Sequence, residues 1–414
     1  MTTETASSTR SRGMRDVLPA EMDRVRSVED AFAATCRAWG YREIRTPVIE
    51  PLHLFTSAGT LSPKMLETVY SFLDWDGWSG ERVVLRPDST IPAARLYAEH
   101  LGGGRVAKLF YNQNIFRFTD DGASREEWQC GVELIGDTGV AGDVELVLLA
   151  IETLTPLGLP PLTVRLSHAG LVRAVLAAAG MAADEQSAAY DRLLDGDLSV
   201  VDEVESRLPQ LDAPLRLLFE VEGSGSGYIA NLRGALASAI PALVPALDNL
   251  AFVVAALKAR GVAPVIQSVL ARSFEYYSGL VFKIYAGGER ICSGGRYDEL
   301  VALVGDVGVP ASGFAHYVAP VVAQLPQGEP DRLVTRVVVQ ARDATPKSIA
   351  ETFAVATRLR AAGLHAEVTA GMDSAPGHRV VCGSAAPDFT VISAGIERTF
   401  ETLDAVIEAL ERGR

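Results

Sequence analysis

The chain reads as an α+β fold: a mixed sheet interrupted by a helical insertion, followed by a small C-terminal α/β unit. Three observations lead there. Strand-like runs recur up to residue 168 and return near residue 267. Between about 168 and 265 the apolar pattern is almost wholly helical. The Pro/Gly/acid stretch "QLPQGEPD" (324–331) reads as a linker ahead of a final strand and helix alternation. At 414 residues there is room for two or three domains with a full core. A hydrophobic content of 48% with 22% charged residues is that of a soluble globular protein.

Taken in order, residues 1–12 read as a disordered tail, without the apolar stretch of a signal peptide, and no apolar run reaches bilayer-spanning length. Residues 20–39 place Met22, Val25, Val28, Phe32 and Cys36 at helical spacing, with Gly40 as a C-cap. "YREIRTPVIEP" then reads as a strand carrying Pro47. Further strands are expected at "RVVLRPD", "AKLFYNQNIFRF", "WQCGVELIG", "LTVRLSH", "YSGLVFKIYA" and "ERICSGG", and helices at "DVELVLLAIETLTPLG" and 169–180. "EGSGSGY" (222–228) reads as a flexible break in the helical block. The C-terminal unit, 332–414, reads as strand "RVVVQA", a helix from Thr345 with Pro346 at its first position, strands "HAEVT", "RVVCG" and "FTVIS", and a final helix.

Composition and motifs exclude several classes. There is no GK dipeptide and hence no P-loop, and neither HExxH nor GxSxG occurs. Cys36, Cys130, Cys292 and Cys382 lack CxxC spacing and read as buried free thiols in a reducing cytoplasm, with no metal site and no cofactor implied. A net charge of −14 leaves no electrostatic footprint for nucleic acid. His168 ends an apolar strand and reads as a structural group.

Three stretches ask for more than a fold. In "LRPDSTIPAARL", Asp88 and Thr90 emerge from an apolar strand at a turn fixed by Pro87. In "FRFTDDGASREEWQCGVELIG", period 2 puts Gln129, Gly131 and Glu133 on one face and Trp128, Cys130, Val132 and Leu134 on the other, which is core material. An amide and a carboxylate buried beside a glycine cost several kcal/mol unless satisfied, and the glycine leaves room for something to lie flat on the backbone. In "ARSFEYYSGLVFKIY" and "ERICSGGRYDELV", a tyrosine pair and a Gly-Gly-Arg-Tyr-Asp turn offer hydroxyls and a close backbone approach.

Together and in this order, the three stretches resemble histidyl-tRNA synthetase and its non-catalytic relatives, from "GMRDVLP" at 13–19 to about residue 323. The resemblance implies a class II aminoacyl-tRNA synthetase-like antiparallel sheet with helices and a helical insertion. "REIRTPVIEP" is similar to the first class II motif, with Pro47 at a dimer interface, and "FRF…SREEWQCGVE" to the second. "RSFEYYSGLVF" and "SGGRYDELV" resemble the two histidine-specific signatures. The implied ligand is free L-histidine, with Asp88, Thr90 and Gln129 around its α-amino group, Glu133 and Tyr277 on its imidazole, and Tyr276 also among the histidine-binding residues. Arg117, Arg125 and Arg272 are the implied phosphate or carboxylate contacts. The chemistry agrees, since an ammonium wants carboxylate, hydroxyl and amide acceptors and an imidazole N–H wants a carboxylate in a dry site.

The departures from the family's pattern carry as much. The second motif needs a Glu two residues after its first arginine, where Arg117 is followed by Phe118 and Thr119. The third should end in a Gly-Leu-Glu-Arg-like run whose arginine grips ATP, where Tyr317, Val318, Ala319 and Pro320 stand instead. "RPDST", with Asp88 for the usual Glu, is closer to the regulatory relatives that accompany short-form ATP phosphoribosyltransferase in histidine biosynthesis. The resemblance therefore implies a non-catalytic cytoplasmic subunit, a homodimer within a hetero-oligomer, with that catalytic subunit as partner and neither membrane nor tRNA. Its C-terminal unit resembles a shortened anticodon-binding domain. Two rivals stay open: a divergent histidyl-tRNA synthetase, and a paralogue that binds or activates an amino acid for another acceptor.

Overall fold

The computed structural model describes residues 10–57, 66–75, 77–78, 80–102, 105–119, 124–137, 139–194, 196–269, 277–305, 308–326, 336–343, 345–369, 378–382, 389–393 and 395–411, in two units, 1–327 and 328–414. Arg272, Tyr276, most of the expected tail and the expected linker from 327 onward lie outside the described residues.

The first helix (Pro19–Ala38) turns Val25, Val28, Phe32 and Cys36 inward. It stops at Gly40, whose φ of 81° lets the Tyr41 N–H return to the Cys36 carbonyl at 3.0 Å. The stretch after it is not the single strand expected. It gives β1 (Arg42–Glu43) and β2 (Ile49–Pro51), separated by a segment to which buried Arg86 donates, at the Thr46 carbonyl (2.9 Å) and the Pro47 carbonyl (3.2 Å). Pro47 has no N–H to continue a ladder. Strand β2 instead joins β3 (Ser71–Trp75) and β4 (Gly80–Leu85) in a small antiparallel sheet.

The main sheet adds β5 (Ala107–Phe116), β6 (Glu126–Ile135), β7 (Leu162–His168), β8 (Gly223–Ser224), β9 (Val265–Ile266), β10 (Leu280–Ala286), β11 (Glu289–Arg296) and β12 (Ala311–Tyr317). Its order is β1-β5-β6-β12-β11-β10-β7-β9-β8, antiparallel except at β1–β5 and β7–β9. One face carries Phe110, Cys130, Val132, Leu134, Phe282 and Phe314 into a core with the first helix and the helix Val140–Leu154. Trp128 does not join them. It sits near the start of β6, opposite Asn114, and is 42% exposed. Alternation sets which way a side chain points but not whether a helix covers it.

The helical insertion runs as helices Ala169–Ala178, Ala183–Leu194, Ser199–Arg207, Asp212–Glu220, Gly225–Leu236 and Val244–Ala259. His168 opens it by accepting the Gly170 N–H on Nδ1 at 3.1 Å, a cap that requires a neutral ring. The glycine-rich stretch expected as a flexible break is ordered: β8 pairs with β9, Gly223 lies beneath the Tyr228 ring, and Gly225 (φ 71°) starts the next helix. Residues 241–259 are helical, long and apolar enough to cross a membrane, contrary to the run-length reading. Leu247, Leu250, Val253, Val254 and Leu257 from it are buried in the core.

Arg296, the last residue of β11, ties the insertion to the sheet. Its Nε donates to Asp143 at 2.9 Å, its other nitrogens reach the carbonyls of Asp137 (3.1 Å) and Gly139 (3.2 Å), and Asn249 donates to Asp143 at 3.1 Å.

In the second unit five strands, β13 (Arg336–Ala341), β14 (His365–Thr369), β15 (His378–Cys382), β16 (Phe389–Ser393) and β17 (Ile396–Phe400), form a sheet in the order β14-β13-β15-β16-β17. Thr345 caps the helix Pro346–Ala361 by accepting the Ser348 N–H at 3.3 Å. Its core is Val337, Val339, Val355, Ala356, Leu359, Val380, Val391 and Val406 with their neighbours.

Candidate functional site

The other face of the main sheet forms a cleft whose floor is made of small residues. Asp88, Thr90, Gln129, Tyr277, Ser293, Tyr297, Gly313, Phe314, Ala315 and Tyr317 line it. Four of the six residues expected at the ligand, Asp88, Thr90, Gln129 and Tyr277, therefore line it, and a fifth, Glu133, lies just behind, bonded to the lining Tyr297. Each has a local reason for its place.

Asp88 precedes the helix Thr90–Leu96 and is 2% exposed. Its Oδ1 accepts the Ile91 N–H at 2.7 Å, so it also caps the first turn. Burial pushes its carboxyl up, against the pull of the backbone N–H groups and of the Arg117 guanidinium. Arg117 is held beside it by a 2.9 Å bond from Nε to the Pro87 carbonyl. Arg125 is held elsewhere. It donates to the Thr119 carbonyl at 3.0 Å, stacks 4.0 Å over the Phe118 ring and packs on Gly13.

Glu133 is 1% exposed at the centre of β6. The Tyr111 hydroxyl donates to its Oε1 at 3.0 Å and the Tyr297 hydroxyl to its Oε2, and the Thr90 hydroxyl is within bonding reach. Burial first, and then the nearby Asp88 charge, hold its carboxyl well above the usual carboxylate range, opposed by the Thr90 and Tyr111 hydrogen bonds. Tyr111 was not singled out from the sequence, and Tyr297 was marked only as the hydroxyl of the Gly-Gly-Arg-Tyr-Asp turn, without a place at the ligand. The signal for Tyr111 was present: it alternates with Leu109 and Gln113 on β5 and stands opposite Gly131.

That pairing answers what the strand glycine is for. A Cβ on Gly131 would run into the Tyr111 ring, so the flat occupant is a tyrosine of the neighbouring strand. The device repeats. Tyr277 lies over Gly295, and Gly313 makes room for Glu133 and the Tyr297 hydroxyl. With the rings in place the cleft keeps a volume of about 20 Å³, room for about one water. Gln129, 3% exposed, has no partner for its Nε2 among the described residues, and a polar ligand atom would supply one.

The family model described as histidyl-tRNA synthetase matches residues 13–321. The chain belongs to the histidyl-tRNA synthetase family. Within it, the chain is 42% identical over 395 residues to the ATP phosphoribosyltransferase regulatory subunit of Dehalococcoides mccartyi, covering 95% of both chains. It is 35% identical over 317 residues to the histidine–tRNA ligase of Methanosarcina acetivorans, covering 74% of this chain and 72% of that one. Among solved structures, an ATP phosphoribosyltransferase regulatory subunit/histidyl-tRNA synthetase from Bacillus halodurans superposes with a TM-score of 0.76 at 27% identity, over 90% of this chain and 96% of that one. As a member of this family the chain has the class II synthetase-like fold, and the cleft occupies the sheet face opposite the helical core.

Proposed function

We propose that this chain is the regulatory subunit of ATP phosphoribosyltransferase, performs no chemistry of its own, and holds free L-histidine in the cleft. Identity of 42% across 95% of a relative bearing that name supports the first part. One observation carries the rest. The polar groups suited to an amino acid, Asp88, Thr90, Gln129 and Glu133, gather in one buried cleft, while Thr119 and Pro320 stand where a synthetase needs an acid and an arginine for ATP.

In this reading the α-ammonium meets Asp88 and Thr90, and the imidazole N–H meets Glu133. The Glu133 carboxylate has about four acceptor sites; Tyr111, Tyr297 and Thr90 take up three, and one is left for the ligand. A volume of about 20 Å³ is too small for an imidazole, so binding includes movement of the rings that fill the cleft. The partner is a short-form ATP phosphoribosyltransferase catalytic subunit in the cytoplasm, and tRNA is not a ligand. Exposed Val48, Ile49, Leu73 and Trp75 on the small sheet and beside it support a homodimer within that assembly.

Exchange of labelled pyrophosphate into ATP tests the absence of chemistry. The expected result is no histidine-dependent exchange from protein that binds histidine in a calorimeter. Exchange at a synthetase-like rate would overturn the regulatory reading in favour of a ligase.

A further inference from the structure

The cleft follows the β6–β12 pair, and the residues facing it across from β6 grow along its length. Glu133 stands opposite Gly313, Gly131 opposite Ala315, and Gln129 opposite Tyr317. The four residue steps from Glu133 to Gln129 span about 13 Å of strand. The Glu133 end is open at the floor because Gly313 has no side chain, whereas the Gln129 end carries a phenol ring. That ring is braced. The Arg290 guanidinium lies 5.3 Å over it, and the residue after it, buried Val318, begins the helix Val318–Gln324.

We infer that Tyr317 sets the length of ligand the cleft accepts, admitting a free amino acid and excluding one extended through its carboxyl group. The inference rests on the histidine reading above. A ligand with its imidazole at Glu133 and its ammonium at Asp88 and Gln129 presents its carboxyl end to Tyr317. A substituent on that carboxyl would overlap a ring held from behind by Arg290 and fixed in its backbone by strand pairing. The class accepted is a free α-amino acid, and the classes rejected are its adenylates, esters, peptides and bulky amides.

Calorimetry on the full chain with L-histidine, L-histidinamide and L-histidine benzylamide tests this. The two amides share a charge and differ in bulk. Wild type and Tyr317→Phe should bind the benzylamide about 10- to 100-fold more weakly than histidinamide, as expected for a ligand that overpacks a formed site. Tyr317→Ala should bring the ratio of the two amide affinities, read within the variant, to within about 3-fold. Equal binding of both amides to wild type, or a gap that survives in Tyr317→Ala, would overturn the inference while leaving the histidine site intact. If neither L-histidine nor histidinamide binds wild type, the histidine reading falls and this inference with it.

Discussion

Replacing Gly131 with alanine separates a plain strand from a built site, because the two readings give opposite signs. In an ordinary strand Gly→Ala relieves a conformational cost and stabilises by about 0.5–1 kcal/mol. Here the added Cβ would lie 2.5 Å from the Tyr111 hydroxyl oxygen and closer still to its ring carbons. Tyr111 is 1% exposed and cannot swing into solvent without leaving its place over β6. Overpacking of this kind costs about 1–3 kcal/mol. Displacing the hydroxyl also breaks its 3.0 Å bond to Glu133, and leaving a buried polar group without its partner costs about 1–3 kcal/mol. Since the two losses share one side chain, they overlap, and a net destabilisation of about 2–4 kcal/mol is expected. Urea unfolding of wild type, Gly131→Ala, Tyr111→Ala and the double variant measures it. In the Tyr111→Ala background the alanine at 131 should cost nothing. A Gly131→Ala protein as stable as wild type, or a penalty that persists without the Tyr111 ring, would refute the reasoning.

Three further outcomes follow from the same geometry. Asp143→Ala takes from Arg296 its buried carboxylate and leaves only the exposed Asp298 at 3.2 Å, and should destabilise at the low end of about 3–5 kcal/mol in urea unfolding, more than an exposed Asp→Ala change. Glu133→Gln should weaken histidine binding about ten- to hundred-fold by calorimetry, one charged hydrogen bond's worth, and unchanged affinity would place the imidazole elsewhere. Burial lowers the pKa of His168 to about 4 and of His316 to about 3, so below the ordinary value near 6.5 the unfolded chain binds protons that the folded chain does not. Stability should therefore fall as pH drops from about 6.5 toward 4, by up to about 1.4 kcal/mol per pH unit for each histidine. His168→Asn, which keeps a capping side chain, should flatten that slope by close to one proton, and an unchanged slope would contradict the assignment.

Much of the architecture was legible because burial writes a period into the sequence. The first helix buries one face at helical spacing, β6 alternates between core and cleft, and β10 is an apolar run buried along nearly its whole length. Strands β3 and β17 were missed for the complementary reason. All five residues of β3 and the first four of β17 are exposed, so no apolar period marks them. Pro47 was placed inside a strand because residue type alone does not reveal that Arg86, forty residues on, occupies the neighbouring carbonyls. The ordered turn at 223–225 was hidden because glycine composition looks alike in a linker and in a close approach to a ring such as Tyr228. In the cleft, Asp88, Gln129 and Glu133 stood out as polar residues on apolar strands. Tyr111 did not, since a tyrosine in a strand-like run reads as ordinary core until strand register puts its hydroxyl on a carboxylate, and Tyr297 was visible as a turn hydroxyl but not as a partner of Glu133.

The central claim is that the chain activates a catalytic partner, and the phosphoribosyl transfer rate of a short-form ATP phosphoribosyltransferase, titrated with this chain, tests it most directly. The expected result is no transfer by the chain alone and a saturable rise in the partner's rate as the chain is added, with the two eluting together on sizing chromatography. A rate that stays flat across the titration, with the proteins eluting apart, would contradict it.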